Sequence, residues 1–145
     1  MKLLEISPWC CILAAAGVLM LPFRLLTAAL FAAMLHELCH LGVLSLFSVP
    51  VLGIRVSPFG AVIRSGYMTS GQELLCSAAG PAGSFILLLT WKVFPLLAIC
   101  GLIQGIFNLL PLYPMDGGRI IRALTLLGKE KYLAKRGRNK YNSVE

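Results

Sequence analysis

The chain has 145 residues, room for one domain, of which 58% are hydrophobic and only 13% charged, and its mean hydropathy is +0.83. A soluble domain of this size keeps much of its surface in water and cannot hide so much apolar area, so a bilayer has to supply the apolar surroundings. Thirteen Lys and Arg against six Asp and Glu give a net charge of +7, but the basic residues flank apolar stretches without any nucleic-acid-binding motif, which argues against nucleic acid as a partner.

Four apolar stretches follow one another, at about residues 8–21, 25–49, 72–90 and 95–112. A membrane span needs about 20 apolar residues. The first stretch is short and is followed by Pro22 and Arg24. It lacks a small-x-small cleavage site, so it reads as an uncleaved, short or tilted span rather than a signal peptide. The second carries His36-Glu37-Leu38-Cys39-His40. Between the second and third, Pro50 to Ser70 suits a short hairpin with strands about 51–57 and 61–65, and Ser57-Pro58-Phe59-Gly60 suits a type I turn. Its free edge could hold an extended peptide through main-chain hydrogen bonds; an ordinary re-entrant connection reads equally well.

After the fourth stretch, Ile120, Ile121, Leu124 and Leu127 recur at helical spacing with Arg119 and Arg122 between them. This predicts an amphipathic helix along the membrane interface. The polar run from Lys129 to Lys140 reads as a frayed tail held near anionic lipid, or as a solvated tail. Four spans put both termini on one side with Lys2, Arg55, Arg64 and the basic residues from Arg119 to Lys140, leaving Arg24 and Lys92 opposite. The excess of Lys and Arg marks the cytoplasmic side. The expected fold class is an all-α polytopic membrane protein: a single membrane-embedded domain over residues 1–145, with about four transmembrane helices and a short β-hairpin-like loop between the second and third.

Ionisable residues inside such stretches cost several kcal/mol and point to function. His36 and His40 lie four apart, on one face of a helix, where both rings can reach the same Zn²⁺. Glu37 is rotated about 100° from His36, awkward for a third ligand but able to reach a metal-bound water. An open catalytic zinc takes three protein ligands. Asp116, the only Asp in the chain, follows the fourth stretch and is the candidate third ligand; equally, Asp116-Gly117-Gly118 reads as a simple turn or helix cap. The five cysteines (Cys10, Cys11, Cys39, Cys76 and Cys100) are odd in number, form no C-x-x-C and read as packing thiols.

His36-Glu37-x-x-His40 together with Asn108-x-x-Pro111-x-x-Pro114-x-Asp116-Gly117 resembles the site-2 protease family of intramembrane zinc metalloproteases. The resemblance extends over Pro58-Phe59-Gly60 and Ala79-Gly80-Pro81, and the compact form is similar to the sporulation branch that processes a membrane-associated sigma-factor precursor. It implies one Zn²⁺ per chain on His36, His40 and Asp116, with Glu37 as general base and acid. Asn108 would hydrogen-bond the substrate backbone or the oxyanion. Pro111 and Pro114 would break the helix, while Gly80, Gly83 and Ser84 would let the third span pack closely. Two positions depart from the family pattern: Cys39 stands where Gly is common, and Ser84 where many members have Asn.

The implied activity is intramembrane endopeptidase cleavage of a membrane protein or membrane-associated precursor. The chain would be a multi-pass protein of a bacterial cell membrane with cytoplasmic termini. With no large insert between the third and fourth spans, substrate choice falls to the membrane core, the Pro50–Ser70 loop or a separate regulatory membrane partner. The alternative is a non-catalytic membrane protein with a structural zinc site, Cys39 closing the fourth position, or with a substrate-binding role.

Overall fold

A computed structural model describes residues 4–57 and 60–142. Pro58 and Phe59, and with them the expected type I turn, lie outside the described residues. The elements run β1 (Leu4–Ile6), α1 (Pro8–Met20), α2 (Phe23–Leu46), β2 (Val51–Ser57), β3 (Gly60–Ser65), α3 (Ser70–Ile86) continued by a 3₁₀ turn over Leu87–Thr90, α4 (Pro95–Asn108) and α5 (Asp116–Asn142).

The fold is mostly helical, but the hairpin belongs to a three-stranded sheet in the order β1-β2-β3. The hairpin is antiparallel and pairs Val56 with Ala61 and Val51 with Ser65, with an irregularity between Val51 and Gly53. The third strand, unforeseen in the sequence, is β1: it pairs in parallel with β2, Glu5 beside Arg55. The Glu5 carboxylate lies 3.3 Å from Arg55 Nε and 3.5 Å from an Arg64 Nη, an exposed cluster that contributes little to stability.

Two helical stretches have span length, α2 with 24 residues and Ser70–Thr90 with 21; α1 and α4 are apolar but shorter. The fourth stretch was expected to continue to residue 112 but leaves the helix at Asn108. Pro111 explains this, since it lacks the N–H that would bond the Phe107 carbonyl and its ring clashes with that turn. The third begins two residues early because Thr69 and Gln72 form a capping box: Thr69 Oγ1 accepts from the Gln72 N–H and Gln72 Oε1 from the Thr69 N–H.

Helix α5 departs most from expectation. It is one helix through Asn142, not a short helix with a frayed tail. It packs on α3, Ala123 is fully buried, and Ser70 Oγ donates to Glu130 Oε1 at 2.7 Å. Packing against α3 offsets the propensity cost of Gly117 and Gly118, about 1 kcal/mol each.

The burial pattern is inverted relative to a soluble domain. Leu19, Leu46 and Leu89 are more than 80% exposed, whereas His36, His40, Ser77, Ser84 and Asp116 are buried. The apolar cluster is small, built on Leu44, Val49 and Cys76 with Ile63 and Met68 against it. An apolar exterior around a polar centre fits a bilayer as the outer solvent.

Candidate metal centre

Helix α2 supplies His36 and His40 four residues apart, their rings nearly perpendicular with centroids 4.9 Å apart. Helix α3 runs antiparallel beside it, so His40 meets Cys76 and His36 meets Ser84. Helix α5 begins at Asp116, whose carboxylate turns back to the imidazoles. Asp116 Oδ2 lies 3.0 Å from His36 Nε2 and 3.2 Å from His40 Nε2, and the two Nε2 atoms are 3.2 Å apart. Asp116 therefore opens a helix, as the turn reading had it, and also faces the imidazoles. Glycine makes this approach feasible: a Cβ on Gly117 would strike the Leu109 and Leu110 carbonyls, so the irregular stretch 109–115 folds directly over the start of α5.

The three donors fit a metal ion. Zinc bonds of about 2.0–2.2 Å at tetrahedral angles place ligand atoms roughly 3.3–3.6 Å apart, close to the triangle seen here. The outer ring nitrogens point the same way. His40 Nδ1 lies 2.7 Å from the Cys76 carbonyl oxygen. That oxygen can only accept, so the neutral ring carries its proton on Nδ1 and offers the Nε2 lone pair. Ser84 Oγ, 2.9 Å from His36 Nδ1, can accept a proton from that ring in the same way. With both protons outside, three lone-pair atoms converge, an arrangement that a cation satisfies. The floor is Gly80, where a Cβ would collide with both imidazoles.

Glu37 lines a cavity of about 500 Å³ together with His36, His40, Asp116, Asn108 and Arg119. The cavity continues along the sheet past Val56, Val62, Ile63 and Ser65. Asn108 sits on the wall at the end of α4, one amide hydrogen engaged with the Gln104 carbonyl at 3.2 Å. Among the described residues, His36, His40 and Asp116 are the His, Cys, Asp or Glu side chains that converge as a metal-binding group. Cys39 is not with them: a Cβ on Gly83 would strike its Sγ, so the thiol packs against α3. That leaves no fourth protein ligand of these types among the described residues.

The sequence signature of peptidase family M50 matches residues 88–145. A zinc metalloprotease of Methanocaldococcus jannaschii is 36% identical over 107 residues, covering 64% of this chain and 32% of that protein. Stage IV sporulation protein FB of Bacillus subtilis is 26% identical over 132 residues, covering 81% of this chain and 46% of that protein. The site-2 protease structure from Methanocaldococcus jannaschii superposes with a TM-score of 0.68 at 26% identity, covering 86% of this chain and 68% of that one. In sequence and in fold the chain is similar to the site-2 proteases. It spans about a third of the archaeal relative and less than half of the sporulation protein. Zinc is the metal named for the archaeal relative, and the His–His–Asp triangle is a donor set that could hold it.

Three contacts at the centre lay beyond the sequence reading. Ser84 and the Cys76 carbonyl are partners of the imidazoles, and Gly80 is the floor beneath them. A small polar residue in an apolar span was the available signal for Ser84, but its partner is 48 positions away.

Proposed function

We propose that this chain is an intramembrane zinc endopeptidase that cuts a transmembrane or membrane-associated protein near the cytoplasmic side of a bacterial cell membrane. The observation that carries this reading is the His36–His40–Asp116 triangle with Glu37 on the adjoining cavity. Depth adds to it. Gly80, the floor of the site, lies ten residues into α3, roughly 15 Å from the Ser70 end at 1.5 Å per residue. That is about half of a 30 Å hydrocarbon core. Four spans, with α1 and α4 as the short pair, keep both termini and the basic residues of α5 on the cytoplasmic side.

His36, His40 and Asp116 would hold the zinc, which when bound would supply Lewis-acid chemistry at the attacking water and the scissile carbonyl. Glu37 takes a proton from the attacking water and passes it to the leaving amine. Asn108 keeps one amide hydrogen for the substrate carbonyl or backbone, since only one is used within α4. The substrate must be unwound, because helical carbonyls are already bonded. Since β1 covers one side of β2, the edge beside the cavity that is left for an extended segment is that of β3. A membrane-associated precursor suits such a site, with a separate membrane protein regulating access.

The test is co-expression with candidate membrane-anchored precursors. Glu37→Gln should retain zinc by metal analysis and lose cleavage, while Asp116→Asn should weaken both. Cleavage by Glu37→Gln at the parent rate would sink the mechanism.

A further inference from the structure

We infer that Ser84 is a positioning residue of the metal centre, holding the His36 ring in the protonation form and orientation that the metal requires. This rests on the zinc reading above. The two imidazoles are supported differently. His40 Nδ1 is held by the main chain, through the Cys76 carbonyl, and survives most substitutions. His36 Nδ1 is held by one side-chain hydroxyl, 2.9 Å away. A metal on Nε2 obliges Nδ1 to carry the proton, and that N–H is buried with a ring only 2% exposed. Ser84 Oγ accepts it.

Ser84 is itself immobilised. It is fully buried, and helix α4 closes against its backbone at Gly101, where a Cβ would come within 2.7 Å of the Ser84 carbonyl oxygen and 2.9 Å of Leu87 Cβ. The α3 backbone at Ser84 is thus fixed against α4, while the hydroxyl reaches the ligand helix α2 at His36. Burial alone does not confer this role. Ser77, two turns earlier on α3, is equally buried, but its hydroxyl makes no hydrogen bond among the described residues.

The experiment compares the full-length parent, Ser84→Ala and Ser77→Ala in detergent. Zinc affinity is measured by competition with a chromophoric chelator, and imidazole N–H protons by paramagnetically shifted NMR of the Co²⁺-loaded protein. Ser84→Ala should weaken zinc by about 10–100-fold, the effect of losing an outer partner of a ligand. It should also speed solvent exchange of the His36 N–H while leaving that of His40 slow. Ser77→Ala should match the parent in both measurements. Parent-like affinity and exchange in Ser84→Ala would overturn the role of Ser84, as would an equal loss in Ser77→Ala, which would mark general packing. A parent chain that takes up neither zinc nor cobalt would instead overturn the metal reading itself.

Discussion

Gly80 of α3 lies so close to His40 of α2 that a single added methyl would occupy the space of the imidazole Nε2. The same methyl would come 2.6 Å from His36 Nε2. Gly80→Ala should therefore displace the rings while removing no ligand. The expected outcome is zinc affinity lowered by about 100-fold, the upper end for a change outside the ligands themselves. Metal content after equilibrium dialysis is the measurement. A variant that retains parent affinity would show that the rings do not rest on α3.

Cys39 is adjacent to a metal-ligand candidate in sequence but faces away from it, its Sγ against Gly83. Cys39→Ala should leave zinc stoichiometry and affinity unchanged and cost about 1 kcal/mol of stability through lost packing. Thermal unfolding and chelator competition on one preparation separate these effects. A large loss of affinity without loss of stability would return Cys39 to the metal.

The legible parts of the site were local or chemically singular. His36 and His40 are four apart on one helix, so their shared face follows from helical geometry. Asp116 stood out as the chain's one Asp. The contacts of His36 with Ser84 and of His40 with Cys76 depend on how α2 and α3 align, which no local pattern encodes. The hairpin could be read from its strands and turn residues, but β1 is three residues long and owes its form to pairing with β2. Helix α5 was under-read for a similar reason. Its glycines and basic residues suggest fraying, whereas packing on α3 and the Ser70–Glu130 hydrogen bond sustain a helix.

Asn108 has one amide hydrogen bound to Gln104 and lies on the wall of the cavity. If the other reaches the reacting carbonyl, Asn108→Ala should lower kcat by about 100-fold or more while zinc content stays at the parent level. Asn108→Asp keeps the shape but removes the donor and should be as impaired. Single-turnover cleavage of a purified substrate in detergent reads both. If the loss appeared only in KM, Asn108 would be assigned to uniform substrate binding instead.

The side chain of Tyr67, just before α3, is 92% exposed, and the Ser70–Glu130 contact brings that end of α3 level with the basic turns of α5. Aromatic and basic residues at one level mark a membrane interface. Alkaline phosphatase, active only outside the cytoplasm, should be inactive when fused after Ser70 or Lys131 and active when fused after Lys92. Activity after Lys131 would invert the proposed orientation, and inactivity after Lys92 would remove the third span.

Metal removal should loosen the molecule at a definable place. Helix α5 is tied at its start through Asp116 to His36 and His40, and fourteen residues later through Glu130 to Ser70. Without a cation, the first tie loses the charge that balances the carboxylate and two lone pairs. Binding to the folded chain alone stabilises it by about 2.7 kcal/mol at a hundredfold excess of free metal over Kd. For a chain near this size that amounts to roughly 5–10 °C in Tm, at about 2–4 °C per kcal/mol. A chelator should lower Tm by that amount and zinc should restore it. Asp116→Asn should melt lower and respond less to zinc, because a neutral amide is a weaker ligand than a carboxylate. Hydrogen exchange should show the loss of protection concentrated in the first turns of α5. Identical melting with zinc and with chelator would separate the triangle from any stabilising metal.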